Sequence, residues 1–146
     1  KAIDVAQIIQ KLWPINNQIN KFVVLTGGEP MLQVDYKIID ALHNFDFKVA
    51  IETNGTVGCP ETLDWICVSP KIGSKLVQRN GDELKFIYPQ FGFPPNSFLK
   101  LNFKHFLIQP MDGPNLEENT IKAIEFCQLN PRWQLSIQTH KITGIR

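Results

Sequence analysis

The sequence predicts an α/β fold, a partial and modified (β/α) barrel that forms a single domain over residues 1–146. Short apolar runs without apolar/polar alternation recur along the chain, which is typical of parallel strands covered on both faces. Each run ends in polar residues, and helical patterns lie between several runs. An open dinucleotide-binding sheet is the alternative, but neither a G-x-G-x-x-G turn nor a P-loop lysine pattern follows the first strand. A barrel is therefore favoured.

The composition favours one soluble domain that acts on a small ligand. The 146 residues are 43% hydrophobic and 20% charged, the composition of an ordinary globular domain. Lys and Arg number 15 against 14 Asp and Glu, and no basic run occurs, so we do not expect a nucleic-acid partner. No apolar segment is long enough to span a membrane and no signal-peptide pattern opens the chain, so we expect a cytoplasmic location.

The first elements are a helix, a strand and a second helix. Helical spacing over residues 3–13 predicts a broad apolar face formed by Ile3, Ala6, Ile9 and Trp13 together with Val5, Ile8 and Leu12. Residues 22–25 predict a first strand that is buried on both faces, and residues 34–44 predict the next helix.

The strand pattern continues to the end of the chain. Further strands are predicted at residues 48–51, 65–68, 84–88, 106–108 and 133–137. A helix over residues 116–129 would bury Ile121, Ile124 and Cys127. The connections at 55–64 and 73–82 are too short or irregular for full helices.

The polar strand ends predict a hydrogen-bonding cup. An amine would go to backbone carbonyls and Glu29, and a carboxylate to Ser69, Lys71 or Asn54. Glycines at 27 and 28 allow a ligand to come close, although such a turn also occurs as a simple strand-to-helix connection. The cup has no nucleophile with its base, so a cofactor must supply the reactive group. Its predicted members are Thr26, Glu29, Glu52, Thr53, Asn54, Ser69, Lys71, Gln109, Asp112, Gln138, Thr139 and His140.

Histidines and cysteines contribute one further candidate. His140 follows the last predicted strand, and we interpret it as a binding or proton-transfer residue. His43 and His105 are interpreted as structural. The three cysteines have spacings that suit neither a disulfide framework nor a metal knuckle, and Cys67 and Cys127 are interpreted as core residues.

The motifs resemble a known family. The Thr-Gly-Gly-Glu-Pro segment at residues 26–30 is similar to the GGEP element of radical S-adenosylmethionine enzymes. From residue 22 to residue 146 the chain resembles the 7-carboxy-7-deazaguanine synthases. The motifs that carry this resemblance are at residues 31–33, 52–56, 69–71, 84–86, 109–112 and 138–146.

The resemblance implies a radical S-adenosylmethionine barrel, a homodimer and a ring-contracting lyase of queuosine biosynthesis. Such an enzyme converts 6-carboxy-5,6,7,8-tetrahydropterin into 7-carboxy-7-deazaguanine with loss of ammonia. It depends on S-adenosylmethionine, a [4Fe-4S] cluster, Mg²⁺ and a reductant such as flavodoxin.

The resemblance also implies site residues, none of them catalytic. Thr26, His140 and the C-terminal carboxylate of Arg146 would face the pterin. Contacts to S-adenosylmethionine would come from Gly28, Glu29, Ser69, Pro70, Lys71, Gln109, Pro110, Met111 and Asp112.

One departure from the family pattern is large. The cluster-binding cysteine triplet and the Mg²⁺-binding threonine are missing, and Cys59 and Cys67 follow the glycine pair instead of preceding it. The smallest complete barrels have about 200 residues, whereas this chain has 146. We therefore expect an N-terminally truncated barrel with no metal site, inactive on its own.

Two alternatives remain at the level of sequence. One is a non-catalytic module that binds S-adenosylmethionine or a pterin. The other is a different radical S-adenosylmethionine enzyme, such as a glycyl-radical activase, although the segment at 138–141 argues against it.

Overall fold

The computed structural model describes residues 1–14 and 19–144. Its contacts divide the chain into two compact units. Unit 1 contains residues 1–68 and 75–78, and unit 2 contains residues 69–74 and those from 79 onward. Each unit is described by itself, and a single domain over the whole chain stays a prediction.

Unit 1 is a three-stranded parallel sheet with two helices. Strand β2 pairs in parallel with β1, where Leu25 lies opposite Ile51, and with β3, where Thr53 lies opposite Val68. The carboxyl ends of the three strands therefore share one edge. The elements are α1 (Ala2–Leu12), β1 (Phe22–Leu25), a 3-10 turn (Pro30–Leu32), α2 (Tyr36–His43), β2 (Lys48–Thr53) and β3 (Trp65–Val68).

The core of unit 1 lies between α2 and the sheet. The carboxylate of Asp35 caps α2 by accepting hydrogen bonds from the backbone amides of Lys37 and Ile38. The helix then buries Ile39 and Leu42 completely. The core residues are Ala6, Met31, Ile39, Ala41, Leu42, Phe47, Val49, Ile51 and Leu63.

Two predicted faces of unit 1 are wrong in part. Phe22 and Val24 in β1 are 45% and 46% exposed, so this strand is not buried on both faces. In the first helix Ala6 is buried, and Ile9 and Trp13 pack against the core as predicted. The other predicted members of this face are exposed, namely Ile3, Val5, Ile8 and Leu12. The apolar pattern identified both elements correctly. Among the described residues, however, only one side of each element packs against the core of unit 1.

Unit 2 contains three parallel strands and two helices. Strand β4 runs beside β5 from the pair Asn80–Asn102 to the pair Tyr88–Pro110, and β6 continues the sheet with Leu135 beside Ile108. The elements are β4 (Asn80–Tyr88), a 3-10 turn (Pro95–Phe98), β5 (Asn102–Pro110), α3 (Leu116–Leu129), β6 (Gln134–Leu135) and α4 (Thr139–Thr143).

Aromatic side chains form the core of unit 2. The Trp133 ring makes edge contacts with Phe86, Phe106 and Phe126 at centroid distances of 6.3, 5.4 and 6.3 Å. Its indole N–H donates to Asn96 Oδ1 over 2.9 Å, so the buried polar atom is satisfied.

The predicted buried face of α3 is also wrong. Ile121 and Ile124 are exposed, Cys127 is half-buried, and the fully buried residues are Asn119 and Ala123. Asn119 Nδ2 donates to the carbonyl of Met111 over 2.9 Å, which turns the Asn119 side of the helix inward. On the same side of α3 the Phe126 ring packs against Tyr88 and Trp133, so the buried face differs from the one that the apolar pattern favoured.

The predicted α/β class with parallel strands is confirmed, with differences in element bounds. Strands β4 and β5 are longer than predicted, and β6 has two residues instead of five. Residues predicted to follow the last strand form the short helix α4. Within the residues described, none of the helices combines the length and the apolar character needed to cross a membrane.

Candidate functional site

The glycine pair after β1 forms an open turn. Gly27 and Gly28 have φ angles of +90° and +53°, the left-handed region that side chains disfavour. A Cβ built on either residue would meet no atom within 4 Å. Backbone conformation therefore favours glycine here, and the open side leaves room for a ligand to approach the main chain.

The carboxylate of Glu29 fixes the far end of this turn. Oε1 accepts hydrogen bonds from the Thr53 hydroxyl at 2.7 Å and the Met31 amide at 3.0 Å. Oε2 accepts from the Asn54 amide at 2.7 Å. Thr53 Oγ1 in turn accepts from the Gly55 amide at 3.0 Å. One carboxylate therefore links the turn after β1 to the turn after β2.

The turn after β2 is packed tightly. Gly55 has φ +76°, and an added Cβ would lie 2.6 Å from Leu76 Cδ1 and 2.7 Å from Val68 Cγ1. Its carbonyl accepts from the amides of Val77 and Gln78 at 2.8 and 3.0 Å. This turn, unlike the first, has no room for a side chain at its glycine.

Cys59 lies near the Glu29 carboxylate but is poorly suited to ligate a metal. Burial and the negative charge of Glu29 together raise the pKa of its thiol to about 11. Metals bind the thiolate, which this environment disfavours. No cluster of three or more His, Cys, Asp or Glu residues that could hold a metal ion occurs among residues 1–14 and 19–144.

The predicted site residues at 69–71 lie in unit 2. Lys71 Nζ donates to Ser69 Oγ at 3.3 Å, and the Lys71 carbonyl accepts from Ser74 Oγ at 2.7 Å. Pro70, which lies between Ser69 and Lys71 in the sequence, is buried, whereas Lys71 is exposed. The two polar side chains thus lie together on one short segment.

The segment at 109–112 borders a small cavity in unit 2. Gln109 and Pro110 line this cavity of about 110 Å³ together with residues of α3 and α4. Asp112 forms an ion pair with Lys141, and this hydrogen bond holds the pKa of the Asp112 carboxyl below its usual value. The cavity is lined by Gln109, Pro110, Leu116, Thr120, Ile137, Gln138, Lys141 and Ile142.

The predicted substrate residues belong to different units. Thr26 is exposed in unit 1 at the end of β1. His140 is exposed on α4 in unit 2 and is not among the residues that line the cavity. Arg146 lies outside the described residues. The structure therefore brings together Glu29, Thr53 and Asn54 in unit 1, and Gln109, Pro110, Gln138 and Lys141 in unit 2.

Sequence reasoning missed the link between the two turns of unit 1. It placed Glu29, Thr53 and Asn54 in one cup but gave Glu29 a ligand amine as its partner. The available signal was their position at the ends of neighbouring strands, which parallel pairing brings to one edge.

Comparison with known proteins identifies the family, although no family model matches. A 7-carboxy-7-deazaguanine synthase of Bradyrhizobium diazoefficiens is 54% identical over 145 residues, covering 99% of this chain and 69% of that protein. The Burkholderia multivorans protein of the same name is 50% identical over 94% of this chain and 65% of its own length. This chain thus spans about two thirds of the length of these relatives.

A solved structure supports the fold. The crystal structure of QueE from Escherichia coli superposes with a TM-score of 0.72 at 24% identity, over 94% of this chain and 63% of that one. This similarity confirms the partial barrel predicted from the sequence. By its close relatives, the chain belongs to the 7-carboxy-7-deazaguanine synthase family.

Proposed function

We propose that this chain serves a 7-carboxy-7-deazaguanine synthase, which contracts the ring of 6-carboxy-5,6,7,8-tetrahydropterin and releases ammonia. The observation that carries the proposal is the 54% identity to the Bradyrhizobium protein over 99% of this chain. Both strand-end turns of unit 1 lie within that match.

Each unit, taken by itself, offers groups that suit part of S-adenosylmethionine. The open backbone of Gly27 and Gly28 offers carbonyl and amide groups without a side chain above them. Ser69 and Lys71 offer a hydroxyl and an ammonium group suited to a carboxylate. After accepting one electron from the enzyme's reductant and losing methionine, this cofactor would supply a carbon radical able to abstract hydrogen. The chain's own residues would bind and orient the cofactor. The roles of Gly28, Glu29, Ser69, Pro70, Lys71 and residues 109–112 remain predictions.

The cysteines among the described residues do not fit an iron–sulfur cluster. A cluster needs several thiolates, but Cys67 is buried and the Cys59 thiol has a pKa of about 11. Cys127 is half-buried, and burial also raises the pKa of its thiol. No step of the reaction is therefore assigned to a metal held by these residues.

Substrate contacts and partners are predicted from the family alone. Thr26 and His140 have exposed side chains that a ligand could reach. The homodimer, the flavodoxin-like reductant and the cytoplasmic location also remain predictions.

A chimera tests the proposed function. Residues 1–146 would replace the matching region of the Bradyrhizobium relative, and product would be measured by mass spectrometry after anaerobic incubation with cofactor, reductant and pterin. We expect 7-carboxy-7-deazaguanine to form. A folded chimera with a full cluster that cleaves S-adenosylmethionine but makes no product would refute the proposed substrate.

The same chimera tests His140. Replacing His140 with Ala should lower pterin turnover at least tenfold, about the contribution of one positioned polar group, and spare reductive cleavage of S-adenosylmethionine. Lys122→Ala, an exposed position on α3, serves as a control that should affect neither step. Equal loss of both steps in the His140 variant would place its role outside the substrate site.

A further inference from the structure

We propose that Glu29 is a positioning residue, whose carboxylate clamps the glycine turn onto the end of β2 and so sets the affinity of that turn for its ligand. The proposal rests on the proposed function for the identity of the ligand. The clamp itself rests on the hydrogen bonds of unit 1.

The clamp begins where the sheet ladder ends. The last paired residues of β1 and β2 are Leu25 and Ile51. Beyond this pair, Glu29 supplies bonds from both of its carboxylate oxygens to residues 53 and 54. The carboxylate therefore extends the connection between the strands past the reach of backbone pairing.

The arrangement requires a carboxylate rather than an amide. Oε1 and Oε2 both accept hydrogen bonds, and the donors at Met31 and Asn54 are backbone amides that cannot reverse. A glutamine has one accepting oxygen, so either orientation of its amide group would place a donor against one of these N–H groups. The charged form also strengthens each bond.

The clamp leaves Gly27 and Gly28 exposed while fixing the residue next to them. Thr53 is buried and relays the contact by accepting from the Gly55 amide while donating to Glu29. Gly55 is itself held by Val77 and Gln78. The open turn is thereby anchored to a rigid neighbour, which reduces the ordering cost that a ligand must meet.

Thr53 supplies the decisive test because it is buried and donates a hydrogen bond to Glu29. The affinity of the 146-residue chain for S-adenosylmethionine would be measured by titration calorimetry for four variants: Glu29→Gln, Thr53→Val, their combination, and Thr53→Ser. We expect each of the first two to weaken binding about tenfold, the effect of losing a charge-assisted hydrogen bond. The double variant should be no weaker than the single ones, and Thr53→Ser should bind like the parent.

A different result would overturn the clamp. If Thr53→Val binds like the parent while Glu29→Gln does not, Glu29 acts on the ligand directly. Additive losses in the double variant would also separate the two residues.

A second measurement separates failure of the clamp from failure of the proposed function. Hydrogen exchange of the Met31 and Asn54 amides would be followed by NMR without ligand in the parent and in Glu29→Gln, with the Ile39 amide as an internal control for global unfolding. Faster exchange at Met31 or Asn54, without faster exchange at Ile39, would support the clamp. If the parent binds no S-adenosylmethionine, that result would count against the proposed ligand and not against the clamp. Unchanged exchange at both amides would refute the clamp.

Discussion

Backbone conformation and side-chain packing both favour glycine at position 55. Replacing Gly55 with Ala would place a Cβ within 2.7 Å of two side chains at φ +76°. We expect the free energy of unfolding to fall by about 2–4 kcal/mol, the sum of left-handed strain and overpacking. Urea denaturation measures this change.

The matched control is Gly58→Ala, where no atom lies within 4 Å of an added Cβ and φ is not in the left-handed range. Its stability should stay the same or rise slightly, because alanine restricts the unfolded chain. Equal losses at both positions would show that the Gly55 packing is not the cause.

Some of the candidate site could be predicted at the scale of residues. The glycine pair, Glu29 and the polar residues at 53 and 54 are local signals of a turn at a strand end. The bond from Thr53 to Glu29 joins residues 24 apart in the sequence. The sequence does not specify this pairing, because whether Thr53 faces Glu29 depends on the register of β1 against β2.

At the scale of elements, Asp64 ties α2 to the sheet of unit 1. Its carboxylate accepts from the Val49 amide at 2.8 Å and pairs with His43 Nε2 at 2.8 Å. Burial opposes ionisation, but the Val49 amide and His43 prevail and lower the pKa of Asp64 below 3.8. Replacing Asp64 with Asn should cost about 1 kcal/mol of stability at pH 7, a value limited by the exposure of the pair.

The pH dependence of the Asp64 contribution has a definite sign. Because the folded protein holds this carboxyl at a lower pKa than the unfolded chain, the stabilisation is complete above pH 3.8 and is lost as pH falls through the folded-state value. The difference in unfolding free energy between parent and Asp64→Asn should therefore shrink below pH 4. Glu118→Gln, on exposed α3, is the control at pH 7 and should change stability by less than about 0.5 kcal/mol. A constant difference down to pH 2 would contradict the assignment.

The aromatic core of unit 2 predicts a contrast between two phenylalanines. Phe86 is completely buried, whereas Phe91, in the loop after β4, is 101% exposed. Phe86→Ala should lower stability by about 3–5 kcal/mol because it opens a cavity. Phe91→Ala should leave thermal unfolding unchanged. Similar melting temperatures for the two variants would contradict the packing of this unit.

The bounds of helices and strands were predictable where neighbouring residues in the sequence determine them. Helices α1, α2 and α3 begin and end within two residues of their predicted bounds, because apolar periodicity and flanking polar residues define them. Strand β4 begins four residues early, at polar residues 80–83, because pairing with β5 overrides their composition. The buried face of α3 carries contacts of Asn119 with Met111 and of Phe126 with Trp133, and periodicity within the helix does not encode such partners.

For the whole molecule, the thiols give one further prediction. Burial raises the pKa of Cys127, burial and Glu29 raise that of Cys59 to about 11, and Cys67 is buried. At pH 8 only about one Cys59 in a thousand is a thiolate, so native protein should react with iodoacetamide far more slowly than free cysteine. All three thiols should react in urea. A stoichiometric fast phase in the native protein, traced by Cys59→Ser, would contradict this account.

The parallel α/β class was predictable because short apolar runs followed by polar residues recur along the sequence. The division into two units was not, because it depends on contacts between distant segments. Residues 75–78 return to unit 1 after residues 69–74 have joined unit 2.

This return has a consequence for synthesis of the protein. The chain changes unit three times, after residues 68, 74 and 78. A nascent chain that has reached residue 68 still lacks Val77 and Gln78, whose amides bind the Gly55 carbonyl. The turn that carries Thr53 and Asn54 can therefore mature only once the first residues of unit 2 have been translated. Neither unit corresponds to one continuous gene segment, so the two cannot be exchanged independently by recombination at a single junction.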